Sequence, residues 1–133
     1  MIGRMHHLVI DCPDPPALAP FYTELTGLSI VWDDPDWTVL AADRASSGIA
    51  FQRAADLVAP SWPDPARPQQ LHVDIMIDDI ATAVDRVTRM GGRPLCVYGD
   101  GYGVYADPVG HPFCLIPRPE WAPPLPSCAS DDA

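Results

Sequence analysis

Two histidines recur in matching contexts along this chain. His7 opens the run HLVIDCPD and His72 opens HVDIMIDD, 65 positions later, and each run closes on an aspartate, Asp14 or Asp79. A second pair of segments, GIAFQ at 48–52 and GHPFC at 110–114, matches at an interval of 62, which makes Gln52 the counterpart of Cys114. Side chains alternate along a strand, so His7, Val9 and Asp11 share one face while Leu8, Ile10 and Cys12 share the other. In the second copy, His72, Asp74, Met76 and Asp78 oppose Leu71, Val73, Ile75 and Ile77 in the same way. With Phe51 and Phe113 on the apolar side, His7, Gln52, His72 and Cys114 fall at four equivalent places on the polar side. Imidazole can bind or move a proton, a thiol can act as thiolate, and an amide can only exchange hydrogen bonds.

Composition narrows the chemistry further. The 133 residues carry eighteen acidic and eight basic side chains, a formal charge of -10, which excludes a binder of nucleic-acid phosphates or a polybasic membrane anchor. All eight basic residues are arginine, so lysine Schiff-base or nucleophile chemistry is absent. Only Glu24 and Glu120 are glutamates; the other sixteen acids are aspartates. Cys12, Cys96, Cys114 and Cys128 form no CxxC pair or finger spacing, and a disulfide framework is not expected. No apolar run reaches the roughly 20 residues that span a bilayer, and no signal peptide is evident, so a cytoplasmic location is expected.

The elements that must hold these side chains are written twice. Residues 5–12 and 70–77 alternate and are rich in β-branched residues, predicting strands. Asp14 and Asp79 stand where helix N-caps belong. Leu18, Phe21, Tyr22 and Leu25 follow at helical spacing, as do Ile80, Val84 and Val87, and Gly27 and Gly92 are expected to end the two helices. Pro20 would cost about 3 kcal/mol inside a helix, so the first helix is expected to begin late. Three short strands follow each helix, near 28–33, 37–43 and 48–53, then 94–98, 102–106 and 112–117. The prediction is an α+β fold of two βαβββ modules in pseudo-twofold arrangement, forming a cup-shaped mixed sheet. A single domain over 1–117 contains modules 5–53 and 70–117 with a proline-rich connection 54–69, and a proline-rich tail, extended or disordered, follows at 118–133.

The segments HLVIDCPDPPALAPFYTELTGL, LHVDIMIDDIATAVDRVTRMGG and YADPVGHPFCLIP resemble the vicinal oxygen chelate superfamily, the glyoxalase/bleomycin resistance/dioxygenase proteins, and within it the glyoxalase-like subgroup. The resemblance covers residues 5–117. It implies a cup between two modules and, in metal-dependent members, a divalent ion (Zn, Ni, Mn or Fe) held from the first and last strands of each module. Carried over, those places are His7 and Gln52, His72 and Cys114. Both histidines match the pattern and neither last-strand glutamate does.

That departure removes the carboxylate that glyoxalase I chemistry needs to hold a metal and shuttle a proton, and the one an extradiol dioxygenase needs for its iron. Two readings stay open. The cup binds a small apolar or aromatic ligand without a metal, or a metal-dependent lyase or isomerase stabilises an enediolate-type intermediate. For the second, His7, His72 and a Cys114 thiolate would bind zinc, with Asp74 or Asp11 as a displaced carboxylate. Asp11, Asp74, Trp62 and Tyr105 are candidate cavity-lining residues, and Trp32 and Trp37 either cover the cup or pack elsewhere. His111, Asp14, Asp79 and Asp107 read as turn and cap residues. The expected partners are a small molecule and a second copy of the chain, a homodimer, with no nucleic acid or membrane.

Overall fold

Each aspartate cap starts a helix. In the computed structural model, which describes residues 1–126, the Asp14 carboxylate accepts the Ala17 N–H at 3.2 Å and Asp79 accepts the Thr82 N–H at 3.1 Å. The chain runs β1 (His7–Cys12), α1 (Pro15–Thr26), β2 (Ser29–Asp34), β3 (Trp37–Ala41) and β4 (Gly48–Arg53). It then repeats as β5 (Asp74–Ile77), α2 (Ile80–Arg89), β6 (Arg93–Val97), β7 (Gly103–Ala106) and β8 (Pro112–Pro117). Two four-stranded sheets result, ordered β1-β4-β3-β2 and β5-β8-β7-β6. In each, the first strand pairs parallel to the last and the other pairs are antiparallel. The fold is α+β, two βαβββ modules, as the repeat predicts. Among the described residues no helix is long and apolar enough to cross a membrane.

The helix-bearing faces of both sheets contribute to one core. Leu18, Phe21 and Tyr22 of α1 join Leu40 and Phe51 of the first sheet with Tyr105, Phe113 and Leu115 of the second. The Tyr22 ring lies 5.1 Å from Phe51, and the neighbouring Phe21 ring lies 5.8 Å from Phe113. Thus α1 touches both modules. Tyr22 also donates its hydroxyl to the Asp107 carboxylate at 2.8 Å, and Arg86 of α2 forms an ion pair with Glu24 of α1.

Several local expectations are corrected. Helix α1 begins at Pro15, so Pro20 lies inside it. The Asp14 cap and the two prolines at the first helical positions, where N–H groups have no partner anyway, dictate the early start. Pro20 is exposed, and having no N–H it forgoes one intrahelical bond. Gly27 ends α1 at φ 74°, as expected, but after α2 the left-handed residue is Gly91, at φ 91°, and not Gly92. Gly92 is glycine for space: a Cβ there would stand 2.5 Å from Val87 Cγ1 and 3.2 Å from Phe21 Cε2.

Strand β5 begins at Asp74 and not at residue 70, and Leu71 is exposed rather than packed under the helix. The Cys114 N–H reaches the Val73 carbonyl at 2.9 Å, but the next donor along β8 would be Pro112, which has no N–H, so the ladder stops. Tyr105 is a core residue, 2 % exposed, because it pairs with Phe113 on the helix side and donates its hydroxyl to the Gly101 carbonyl at 2.7 Å. The start of the tail is docked: Arg118 pairs with Asp78, and the Leu125 N–H donates to the same carboxylate at 2.8 Å. Cys128 and the rest of the tail lie outside the described residues.

Candidate functional site

The pairing registers decide which side chains can meet. Ala41 pairs with Gly48 and Ala106 with Pro112, so the last strand of the fold repeats at an interval of 64, not 62. The structural counterpart of Cys114 is therefore Ala50, and Gln52 is two residues further along. His7 stands beside Gly48 and Gln52 beside Asp11. Four residues of strand separate those two places, about 13 Å. Gln52 and His7 share a face but not a row.

The predicted residues divide among three places. Gln52 and Asp11 line a cleft of about 500 Å³ where the modules approach each other, together with His72 and His111 of the second module. Val9, Leu57, Val58 and Leu71 supply its apolar wall, and Arg67 and Gln69 of the connection close it on one side. The His111 ring bridges the modules, its Nε2 lying 2.7 Å from the Asp11 carbonyl and donating to it as N–H. The Gln69 Oε1 atom is shielded from solvent and meets no donor among the described residues. Trp62 lines none of the clefts described here; it sits half-buried in the connection.

His7 lies in a separate hollow of about 380 Å³ with Trp32, Trp37, Val39 and Arg44. Its ring centroid is 3.7 Å from that of His6 and 6.1 Å from that of Trp37. Burial, and then the neighbouring His6, lower its pKa from the ordinary value, so His7 stays neutral to lower pH than a free imidazole.

The third place is the non-helix face of β5 and β8. Asp74 pairs directly with Cys114, and His72 precedes Asp74 by two residues. One donor atom from each lies within 4.8 Å of the others, and His72 Nε2 is 3.4 Å from Asp74 Oδ1. Burial, a hydrogen bond to Asp74 and that carboxylate's charge push the Cys114 thiol up. Cys12, by contrast, is a core thiol pushed up to about 11, chiefly by burial, and is unsuited to nucleophilic work.

Sequence reasoning placed His111 and Asp107 in a turn, and both are there: Asp107 Oδ1 accepts the N–H groups of Val109, Gly110 and His111 at 2.8–3.0 Å. It missed that this turn carries the His111 ring into the cleft. It also missed Gln69 and Arg67, which lie in a proline-rich segment with no periodicity to read.

The four-donor metal arrangement that the resemblance implies does not fit this chain. The first module offers Ala50 where the second offers Cys114, and Gln52 brings no charge. His7 stands among tryptophans and outside the grouping of His72, Asp74 and Cys114.

Comparison with known proteins agrees with the architecture. Residues 7–116 match the family described as a glyoxalase-like domain. A glyoxalase-related enzyme from Fulvimarina pelagi is 22% identical, with 91% of this chain and 92% of that one covered and a TM-score of 0.62. A glyoxalase/bleomycin resistance protein/dioxygenase family enzyme from Burkholderia phytofirmans PsJN is 14% identical over 85% of this chain and 97% of that one, with a TM-score of 0.63. The fosfomycin resistance protein FosX of Mesorhizobium loti is 15% identical over 86% and 91%, with a TM-score of 0.62. Curated protein sequences give no match. At such identities the solved structures speak for the fold, and the match over most of the chain speaks for the family: the chain belongs to the glyoxalase-like domain family.

Proposed function

We propose that the protein binds a small molecule with an apolar or aromatic body and a hydrogen-bonding end, in the cleft where the two modules meet. The observation that carries this reading is the make-up of that cleft. Val9, Leu57, Val58 and Leu71 offer apolar contact, while Asp11, Gln52, His72 and the unpaired Gln69 Oε1 offer acceptors and donors. Pockets of this size and mixture suit compact organic ligands, with the few polar groups setting orientation. Resistance-type relatives such as the fosfomycin resistance protein are consistent with recognition of a small organic molecule.

The lyase or isomerase reading asks for a carboxylate that both holds a metal and carries a proton. Ala50 and Cys114 occupy the last-strand places, so binding is the better supported function. We further infer a homodimer. The outer edges of β1 and β5 have no strand partner among the described residues, and Val9, Trp32 and Leu71 are exposed near them or on the same sheet faces.

Ligand-observed NMR against a panel of aromatic acids, amides and quinones tests the binding reading. Signals that vanish in Gln52→Ala and Val9→Asp support it, and a panel without any cleft-dependent binder overturns it. Sedimentation equilibrium tests the dimer: a mass near the 14.4 kDa of one chain at micromolar concentration overturns it.

A further inference from the structure

We propose that the free edge of β1 takes a short, extended, peptide-like ligand as an added strand, so that the molecule bound in the cleft carries secondary amides. This deepens the cleft-binding reading and rests on it. Its basis is the register of the ladder. In a parallel pair, alternate residues of a strand turn their N–H and C=O groups toward the partner. The Gly48 N–H donates to the His6 carbonyl at 3.1 Å and the Ala54 N–H to the Cys12 carbonyl at 2.8 Å, so Leu8, Ile10 and Cys12 are the residues bonded to β4. The backbone groups of His7, Val9 and Asp11 therefore point out of the sheet edge, where no strand meets them among the described residues. One of them already holds a donor from the other module: the Asp11 carbonyl accepts the His111 imidazole N–H at 2.7 Å.

The edges of this fold are not alike. The strands at the far ends of the two sheets, β2 and β6, each carry a register shift, between Ile30 and Trp32 and between Pro94 and Cys96. Bulges and prolines keep exposed edges from pairing with another chain. Strand β1 has neither, and its register runs unbroken from His7 to Cys12. A regular edge left open is a template for strand addition, in which main-chain bonds supply affinity and side-chain pockets supply selectivity.

The cleft decides what pairs there. Val9, Ile10 and Asp11 form one part of its lining, and the connection closes it on one side. A second copy would bring a whole sheet behind its strand, which that closure obstructs, whereas a short single chain enters alone. A dimer through the free edge of β5 leaves the cleft open. Val9–Asp11 extends over about 7 Å, a match for three extended residues. The Val9 N–H and C=O and the Asp11 N–H then pair with ligand amides. Gln69 Oε1, shielded and without a donor among the described residues, takes a further N–H, and Leu57, Val58 and Leu71 receive apolar side chains.

The test is an NMR titration of the full, nitrogen-15-labelled chain with a doubly capped tripeptide of valine, alanine and valine. Three analogues accompany it, each with one residue's N–H replaced by an ester oxygen. The tripeptide should shift the Val9 and Asp11 amide signals and slow their hydrogen exchange about tenfold or more at saturation. Leu8 and Ile10, already bonded to β4, should change far less. A single hydrogen bond is worth about two- to tenfold in affinity, so at least one ester should bind more weakly by that factor. Val9→Pro removes an outward N–H and spares the β1–β4 bonds, at a place where edge strands accept proline, and should abolish binding. The ester series uses the unaltered protein and decides the matter even where that variant does not fold. Equal affinity for the tripeptide and all three esters overturns strand addition, as does binding without protection at Val9. Failure of the tripeptide while a cleft-dependent aromatic or quinone still binds sinks this inference and spares the cleft reading; failure of every probe sinks both. Val9 protection that grows with protein concentration in the absence of peptide gives the edge to a second copy, and overturns the proposal too.

Discussion

The two modules share one scaffold but present different faces. In the first, the middle row of the non-helix face reads Val9, Ala50, Val39 and Trp32; in the second it reads Asp74, Cys114, Val104 and Cys96. Strand order, parallel closing pair, β-bulge in the outer hairpin and aspartate cap are the same in both. On these open-face rows, what differs is side chains that the fold does not need. The helix-side rows, where packing decides stability, keep large apolar residues in both copies: Ile10 and Phe51 in one, Ile75 and Leu115 in the other. A duplicated sheet thus keeps its buried face under one constraint and leaves its open face to acquire an aromatic hollow on one side and a donor cluster on the other.

The sharpest way to break this comparison is to attack what the modules share. Phe113 is fully buried in the second module yet meets Phe21 of the first. Phe113→Ala should cost about 3–5 kcal/mol and lower the stability of both modules together. Urea unfolding followed by tryptophan fluorescence and by circular dichroism should give coincident, shifted transitions. Two separated transitions would show that the copies fold as independent units.

A smaller effect compares the two turns before the last strands. Asp107 is buried, and its Oδ2 depends on the Tyr22 hydroxyl; the corresponding Asp43 turn is exposed and takes a hydroxyl from Ser46 at 2.8 Å. Tyr22→Phe leaves a buried carboxylate oxygen without that donor and should cost about 1–3 kcal/mol. Ser46→Ala should leave the unfolding midpoint unchanged within error, because water replaces the lost donor. Burial and the facing Asp107 charge also raise the Tyr22 phenol well above its ordinary value, so ultraviolet titration should find it un-ionised until the protein unfolds in alkali.

Much of this was legible in the residues. The caps at Asp14 and Asp79, the helical stripe through Leu18, Phe21 and Tyr22, and the alternation through Ile75 and Ile77 each have a single physical reading, and together they specify two βαβββ modules. The site was less legible for a definite reason. Sliding a strand by two residues keeps every side chain on its own face, so alternation cannot tell an interval of 62 from one of 64. The repeated Gly-x-x-Phe therefore set Gln52 against Cys114, whereas the hydrogen-bonded ladder sets Ala50 there. The same limit applies to Gly91 and Gly92: both fit the end of a helix by composition, and only the close approach of Val87 and Phe21 separates their roles. Tyr105 could have been placed from its pairing with Phe113, but pairing is a property of the register and not of either strand alone.

The least disruptive comparison is between the two helix caps. Asp14 accepts one N–H, from Ala17, while Asp79 accepts the Thr82 N–H and, through its other oxygen, the Thr82 hydroxyl at 3.0 Å. The backbone bond from Thr82, and next its hydroxyl, hold the Asp79 carboxyl below its ordinary pKa. A carboxyl whose folded pKa is depressed adds stability at pH values above its unfolded pKa, and that stability disappears as pH falls through the folded value. Thr82→Ala deletes the hydroxyl donor and keeps the backbone one. It should move the Asp79 carboxyl part of the way back toward its ordinary pKa, seen by carbon-detected NMR titration, and shift the acid unfolding of the protein to slightly higher pH. Stability at neutral pH should fall by less than in Asp14→Ala, where a whole cap is lost at a cost of about 1 kcal/mol. An Asp79 titration identical in Thr82→Ala and the parent would mean that the backbone bond alone sets the carboxyl, and that the two caps are equivalent after all.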